Sequence, residues 1–178
     1  MMTGVLSFRS LTRTDFPLLH RWLAEPHVVA WWRESADLAG LEEKYGPRID
    51  GFEPTYVFII EHDDRAIGWI QWYRWSDYPE HAAKLGAENE SAGVDLALGE
   101  SEILGKGLGA RAIAEFVDKV VFAQPDITAV YSDPEENNVR SLRAFAKAGF
   151  VVTKKGYFDG QSYRQCVVRK RRNAAALD

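Results

Sequence analysis

The sequence predicts an α+β fold in which a central, mostly antiparallel sheet is flanked by helices. The order of hydrophobic patterns is strand, helices, three strands, helix, strand, helix and two strands. This order is neither a doubly wound alternation nor a helix bundle, and it predicts a mostly antiparallel sheet with a local strand–helix–strand crossover. With 46% hydrophobic residues among 178, the chain can bury a full core, so residues 1–178 are predicted to form one domain.

The first half of the chain is predicted to hold one strand, three helices and two further strands. Thr14 or Asp15 is the expected cap of the first helix, which the Glu25-Pro26 step ends. Gly46-Pro47 is expected to end the third helix. The predicted bounds are a strand over 5–11, helices over 14–25, from 27 through Trp31-Trp32, and over 36–45, and strands over 56–61 and 66–75.

The second half begins with a polar segment, residues 76–92, which is predicted to be an irregular active-site loop. The segment after it alternates apolar and polar residues as a half-buried strand does. Gly149 is the expected end of the last helix. The remaining predicted elements are strands over 93–99 and 127–131, amphipathic helices through 113–121 and over 139–148, and strands over 150–154 and 162–169.

Charge and composition exclude several classes of protein. The net charge of −4 argues against nucleic-acid binding, which needs a basic surface. No stretch approaches the roughly 20 apolar residues of a membrane span, and the N-terminal residues do not resemble a signal peptide. Cys166 is the only cysteine, and the four histidines are too scattered to suggest a metal site. A cytoplasmic protein without metal is therefore expected.

A glycine-rich loop follows the strand over 93–99 and opens a helix. It contains three glycines, with positive charge nearby on Lys106 and Arg111. This composition suits a pyrophosphate, because backbone N–H groups can approach the ligand and a helix N-terminus favours negative charge. The spacing differs from the Rossmann and Walker patterns, and a plain structural turn is the alternative. The loop comprises Leu104, Gly105, Lys106, Gly107, Leu108, Gly109 and Ala110.

This loop resembles the coenzyme A loop [QR]-x-x-G-x-[GA] of the GNAT acyl-coenzyme A N-acyltransferases. Gly107 and Gly109 match the pattern, whereas Leu104 replaces the usual Gln or Arg. Residues 133–150 resemble the family's second motif, N-x-x-[SA]-x-x-x-[YF]-x-K-x-G-F. The resemblance implies a GNAT-type fold and acetyl-CoA as co-substrate. It also implies that acetyl-CoA contacts Leu96, the loop over 104–110, Asn138, Phe145 and Lys147.

Shorter segments resemble the aminoglycoside 6′-N-acetyltransferases within that superfamily. They are Trp22-Leu23 with residues 27–32, residues 68–73, and Gly93-Val94-Asp95. The resemblance implies a polycationic small-molecule amine as substrate, and it carries five positions over as substrate contacts. These positions are Trp32, Gln71, Tyr73, Asp95 and Asp133.

The expected chemistry is direct acetyl transfer with both substrates bound. Asp95 is the candidate general base, and backbone N–H groups near Leu96 would polarise the thioester carbonyl. Phe145 occupies the position where many relatives carry the tyrosine that protonates the thiolate, and phenylalanine cannot donate. Water is one replacement donor, and three tyrosines are candidates as well, namely Tyr131, Tyr157 and Tyr163.

Several alternatives remain open at this point. The chain could act on a siderophore-type lysine derivative, a polyamine or a peptide N-terminus, or it could be a non-catalytic coenzyme A-binding module. The acidic residues of the segment over 77–102 suit a cationic ligand, but they also suit an ordinary solvated surface. A monomer or a homodimer is expected.

Overall fold

The computed structural model describes residues 3–158 and 162–173. In these ranges the strands are β1 Leu6–Ser10, β2 Thr55–His62, β3 Arg65–Arg74, β4 Ser91–Leu98, β5 Ala129–Ser132, β6 Val151–Gly156 and β7 Gln165–Arg171. The helices are α1 Phe16–Leu23, α2 Pro26–Val29, α3 Leu38–Ile49, α4 Pro79–Leu85, α5 Leu108–Phe116 and α6 Val139–Lys147. A π-helical turn, Val117–Val121, extends α5.

The strands form one seven-stranded sheet in the order β1-β2-β3-β4-β5-β7-β6. β1 pairs antiparallel with β2, and β7 pairs antiparallel with β5 and β6. β4 and β5 are parallel, with Ser91–Gly93 opposite Ala129–Tyr131, and α5 lies in the connection between them. The predicted fold class and the local strand–helix–strand crossover are thus confirmed.

Contacts divide the chain into two units, and each has its own buried cluster. The first unit comprises Met1–Trp72 and Asp95–Gly109, and its core includes Trp22 stacked on Trp69 at 6.0 Å between ring centroids. The second unit comprises Tyr73–Val94 and Ala110–Asp178. Its cluster consists of Trp75, Ala82, Leu85, Ala129, Tyr131, Phe158 and Val167.

The prediction that Gly46-Pro47 ends the third helix is wrong, since α3 continues to Ile49 with Pro47 inside it. A proline lacks the N–H that would bond to the carbonyl four residues earlier, but the turn closes around it because Asp50 N donates to Gly46 O at 3.0 Å. The helix begins at Leu38, two residues later than predicted, because Asp37 caps it by accepting from Gly40 N at 2.8 Å.

The prediction of an irregular segment over 76–92 is also wrong. It contains α4, which begins with a proline at Pro79 and ends at Gly86 in the left-handed conformation, with φ of +73°. These are ordinary start and stop signals for a short helix. The predicted helix through Trp31-Trp32 ends earlier, at Val29, although the backbone N–H groups of Trp31 and Trp32 still donate to Val28 O.

The prediction that Thr14 or Asp15 caps the first helix is confirmed in part, because Asp15 is the N-cap residue of α1 but its side chain makes no capping hydrogen bond there. A short 3-10 turn, Arg13–Asp15, precedes α1, and Asp15 Oδ2 accepts from Thr12 N at 2.9 Å. Arg9 donates to both oxygens of this buried carboxylate, at 2.9 and 2.8 Å. In the part of the chain that the structure describes, no helix is long and apolar enough to cross a membrane.

Candidate active site

Asp95 lies in the second half of β4, where its side chain is partly exposed. The neighbouring strand β3 carries Gln71, which is only 7% exposed. Gln71 Nε2 donates a hydrogen bond to Asp95 Oδ2 at 3.1 Å. The structure therefore brings together two of the five predicted substrate contacts, and it gives the carboxylate of Asp95 a defined orientation.

The amide of Gln71 is bound on its other side by Arg48 from the last turn of α3. Arg48 Nη1 donates to Gln71 Oε1 at 2.9 Å. The same guanidinium contacts Glu53 Oε1 through Nε at 3.0 Å and through Nη2 at 2.8 Å. A continuous series of side chains thus runs from Glu53 through Arg48 and Gln71 to Asp95.

The sequence prediction missed Arg48 and Glu53. With α3 predicted to end before Gly46-Pro47, Arg48 lay outside any helix and had no assigned face. A periodic reading that carried α3 through Pro47 places Arg48 three residues after Tyr45, on the same side of the helix. That spacing is the available signal, and the Arg48 guanidinium does lie 5.6 Å from the Tyr45 ring centroid.

Trp32 packs in the first unit as part of an aromatic group. Its ring meets Trp69 edge-on at 5.1 Å between centroids, and the ammonium of Lys44 lies 5.8 Å from the Trp32 ring centroid. Trp32 is partly exposed, whereas Trp69 is fully buried. A fixed aromatic ring with an accessible portion can stack on a sugar ring, and the substrate contact of Trp32 stays a prediction.

Tyr73 lies in the second unit, and its ring covers Gly93 of β4. A Cβ atom at position 93 would come within 2.3 Å of Tyr73 Cζ, so only glycine leaves room for this ring. The ring also meets Trp75 and Tyr78 edge-on, at 5.1 and 5.2 Å between centroids. The glycine at position 93 therefore has a packing reason, which the resemblance alone did not reveal.

Asp133 follows β5 in the second unit and is held by a buried amide. Gln165 Nε2 donates to Asp133 Oδ2 at 2.8 Å and to the Asp133 carbonyl at 3.1 Å. His81 Nε2 lies 3.6 Å from Asp133 Oδ2, and the His81 ring stacks on Trp75 at 5.2 Å. As with Asp95, an amide side chain orients the carboxylate.

The glycine loop has the backbone conformation that its composition predicted. Gly105 and Gly107 have φ of +76° and +86°, values that side chains with a Cβ rarely adopt. Gly105 and Lys106 are exposed, and α5 begins directly afterwards at Leu108. The first N–H groups of a helix have no partner within that helix, so this end can accept an anionic group.

The residues of the second motif occupy different environments on α6. Asn138 caps the helix, because its Oδ1 accepts from Ser141 N at 3.1 Å. Phe145 is 2% exposed and meets Phe150 edge-on at 5.0 Å. Lys147 is exposed in the last turn of the helix. Leu96, the remaining predicted cofactor contact, is partly exposed on β4 next to Asp95.

Several of the acidic residues considered for a cationic ligand are bound by arginines instead. Glu100, 6% exposed, accepts from Arg21 and from Trp22 Nε1, the latter at 2.9 Å, and contacts Arg65 at 3.3 Å. The hydrogen bond from Arg21 holds the pKa of Glu100 below its ordinary value. Glu88 is paired with Arg171, which likewise lowers its pKa. For these two residues a structural role replaces the suggested ligand contact.

The three tyrosines considered as proton donors differ in environment. Burial raises the pKa of Tyr131 above its ordinary value, and this side chain is 2% exposed. Tyr157 is 65% exposed, and Tyr163 is partly exposed. Within residues 3–158 and 162–173, no group of three or more histidine, cysteine, aspartate or glutamate side chains is arranged to hold a metal ion.

Comparisons with known proteins agree with this geometry. The family model of the acetyltransferase (GNAT) domain matches residues 12–158. Aminoglycoside N(6′)-acetyltransferase type 1 of Klebsiella pneumoniae is 29% identical over 148 residues, which are 82% of this chain and 73% of that protein. The crystal structure of AAC(6′)-Ib with coenzyme A and kanamycin superposes with a TM-score of 0.83 at 27% identity, covering 94% of this chain and 95% of that one.

A spermidine N-acetyltransferase chimera that includes Vibrio cholerae SpeG superposes with a TM-score of 0.71, covering 93% of this chain and 95% of that one. At 20% identity, this likeness shows a shared fold alone. The family match spans most of the chain and includes β4, the glycine loop and α6. The chain belongs to the GNAT acetyltransferase family.

Proposed function

We propose that this chain transfers the acetyl group of acetyl-CoA to the 6′-amine of an aminoglycoside, with both substrates bound at once. The observation that carries the proposal concerns Asp95, a partly exposed carboxylate on β4, the strand that leads to the glycine loop. Its side chain is oriented by a hydrogen bond from Gln71 on β3. The support for the proposal lies in the similarity to aminoglycoside N(6′)-acetyltransferases along most of the chain. The family match runs across both units, which supports residues 1–178 as one catalytic domain.

In the proposed reaction Asp95 binds the ammonium of the acceptor and takes one proton from it, directly or through water. The neutral amine nitrogen then forms a bond to the thioester carbonyl carbon, while a backbone N–H near Leu96 stabilises the charge on the carbonyl oxygen. The carbon–sulfur bond breaks, coenzyme A leaves as a thiolate, and the nitrogen gives its second proton to water to form the neutral amide. Because a thiol has a pKa of about 8.5, this thiolate can depart and take its proton from water.

The proposed acceptor contacts are oriented side chains in each unit. In the first unit these are Asp95, Gln71 and Trp32, and in the second unit they are Tyr73 and Asp133. Within each unit, the carboxylate can pair with an ammonium group of a polycationic amine, and an aromatic ring can cover a sugar face. Both carboxylates accept a hydrogen bond from a glutamine amide, which orients them.

The proposed acetyl-CoA contacts are carried by β4, the glycine loop and α6. The left-handed glycines allow the loop backbone to approach a pyrophosphate closely, and the start of α5 favours negative charge. Asn138 caps α6 and Phe145 packs its last turns, so their proposed contribution is to hold α6 in position. The full proposed set is Leu96, Leu104, Gly105, Lys106, Gly107, Leu108, Gly109, Ala110, Asn138, Phe145 and Lys147.

The test is release of the coenzyme A thiol by the purified chain, measured with acetyl-CoA and a panel of amines. The decisive comparison uses two aminoglycosides that differ only in an amine or a hydroxyl at the 6′ position. We expect turnover with the amine alone, and a product that carries one acetyl group at the 6′ nitrogen by NMR. Turnover with both compounds would reject the 6′ assignment. Preference for a polyamine or a lysine derivative would reject the acceptor class, and no thiol release with any amine would indicate a binding module.

A further inference from the structure

The last turn of α3 carries a mostly buried cation, Arg48, which reaches the proposed amine-binding carboxylate only through Gln71. We propose that Arg48 is a positioning residue that fixes the amide of Gln71, so that its N–H group, and not its oxygen, faces Asp95. This proposal rests on the proposed role of Asp95. It assigns a task to a residue that no sequence motif singles out.

The argument starts from the two ends of a glutamine amide. The oxygen accepts hydrogen bonds and the nitrogen donates them, and the two ends have nearly the same shape, so a rotation by half a turn exchanges them. Asp95 as a carboxylate can only accept. If Gln71 turned its oxygen toward Asp95, the oriented hydrogen bond at 3.1 Å would be replaced by a repulsion between two acceptors.

Arg48 removes this ambiguity because a guanidinium has donors and no acceptor. Its Nη1 lies 2.9 Å from Gln71 Oε1, so only the oxygen end of the amide fits on that side. The nitrogen end must then point toward Asp95. The direction of donation runs from Arg48 to Gln71 and from Gln71 to Asp95, and each contact requires the other.

The guanidinium is itself held in place. Glu53 accepts from Nε and pairs with Nη2, the Tyr45 ring lies 5.6 Å from the guanidinium carbon, and the Arg48 side chain is 13% exposed. Tyr45 is fully buried, so this contact cannot shift easily. Arg48 can therefore act as a fixed reference for the amide and not as a mobile surface charge.

The proposal is tested with a double-mutant cycle in the full chain. Arg48→Met, Gln71→Met and the double variant are compared by steady-state thiol release with kanamycin and acetyl-CoA. We expect Arg48→Met to lower kcat/KM for kanamycin about tenfold, the order of effect of one lost hydrogen bond to a charged group. The KM for acetyl-CoA should not change. In the Gln71→Met background, the Arg48 substitution should cause no further loss.

Two results would overturn the proposal. One is a loss that multiplies in the double variant, because Arg48 would then act by a route other than Gln71. The other is a normal kcat/KM for kanamycin in folded Arg48→Met. If Arg48→Met does not fold, Arg48→Lys keeps the charge beside Glu53 and gives a second cycle, in which a smaller loss for kanamycin should likewise vanish in the Gln71→Met background. Persistence of that loss would reject the idea.

The same assay separates this proposal from the proposed function. Near-normal turnover by folded Asp95→Asn would reject Asp95 as the base, whatever Arg48 does. Inactive Asp95→Asn together with a multiplicative or absent Arg48 effect would reject the positioning role alone. Inactive Asp95→Asn together with a loss that disappears in the Gln71→Met background supports both.

Discussion

Two carboxylates of the first unit, five residues apart, have contrasting partners. Glu100 is buried and bound by the guanidinium groups of Arg21 and Arg65 and by the indole N–H of Trp22. Asp95 is partly exposed and accepts from the neutral amide of Gln71. Both are oriented by hydrogen bonds, but two of the donors to Glu100 are cationic arginines, whereas Gln71, which donates to Asp95, is a neutral amide.

The difference separates a structural carboxylate from one that suits catalysis. A charge that is matched by arginines stabilises the fold, and it cannot attract a cationic substrate at the same time. A hydrogen bond from a neutral donor orients a carboxylate without cancelling its charge, and that charge can attract an ammonium. Orientation by an amide is therefore the feature to look for when many acidic residues surround a proposed site.

The largest expected effect comes from replacing Asp95 by its amide, with the same replacement at Glu100 as the control. Asp95→Asn should lower kcat by a factor of about 10²–10⁴, the usual cost of losing a general base, because an amide cannot accept the ammonium proton. Steady-state thiol release with kanamycin measures this effect. The matched control is Glu100→Gln, which should leave kcat unchanged. Equal losses of kcat in both variants would contradict the distinction drawn between the two residues.

A pair of glycines repeats the comparison between function and structure. Gly105 in the loop and Gly86 after α4 have φ of +76° and +73°, and a Cβ on either would meet nothing within 4 Å. Both alanine variants should lose a similar stability, about 1 kcal/mol, for the left-handed backbone. Gly105→Ala should also raise the KM for acetyl-CoA, since the methyl group faces the proposed pyrophosphate, whereas Gly86→Ala should not. A normal KM in folded Gly105→Ala would remove this position from the proposed site.

The alanine variants of Gly105 and Gly86 test the loop better than a valine substitution at Gly107 would. Gly107 has φ of +86°, so a β-branched residue there would be strained, and a change in KM would be confounded by loss of fold. Gly109 lies in the first turn of α5, and its φ is not among the positive values of the described residues. Gly109→Val therefore probes the approach of the cofactor with less backbone strain than Gly107→Val.

A smaller effect should appear in stability alone. Glu100→Gln should lower the free energy of unfolding by about 1 kcal/mol at neutral pH, because the arginines would then donate to a neutral amide and not to a carboxylate. The folded pKa of Glu100 lies below its unfolded value of about 4.3, so the native carboxylate stabilises the fold above that pH. The difference between the proteins should shrink as the pH falls through the folded pKa. Urea titrations at several pH values measure it, and a constant difference down to acidic pH would contradict the ion-pair account.

The smallest effect concerns the proton that the departing thiolate receives. Since Phe145 is buried against Phe150 and cannot donate, kcat should show no falling limb from tyrosine ionisation up to the pH at which the protein unfolds. A pH–rate profile with kanamycin tests this. A falling limb that is abolished by replacing Tyr131, Tyr157 or Tyr163 with phenylalanine would show that a tyrosine donates. Phe145→Tyr should raise kcat only if thiolate departure limits the rate.

The sequence predicted what depends on local pattern. The fold class, the crossover and the glycine loop follow from periodicity and from residues close together in the chain. Asp95 and Gln71 were both predicted as substrate contacts. The hydrogen bond between them joins two strands, so the local sequence around neither residue predicts it. Glu100 was grouped with possible ligand contacts because its partners, Arg21 and Arg65, lie 79 and 35 residues away. Long-range ion pairs have no signature in a single sequence.

The pairing of Arg48 with Glu53 has a consequence for the choice of acceptor. A positive side chain beside a site for polycations would repel its own substrate, and the carboxylate of Glu53 cancels that repulsion. Replacing Glu53 by a neutral residue would leave the Arg48 charge unbalanced and so add one unit of net positive charge near Asp95, while Asp95 itself stays unchanged. Acceptors with many ammonium groups would then lose more affinity than those with few, and the loss would fade as ionic strength rises. A substitution at Glu53, which the acceptor need not contact, can thus change how strongly the protein distinguishes acceptors by their number of charges.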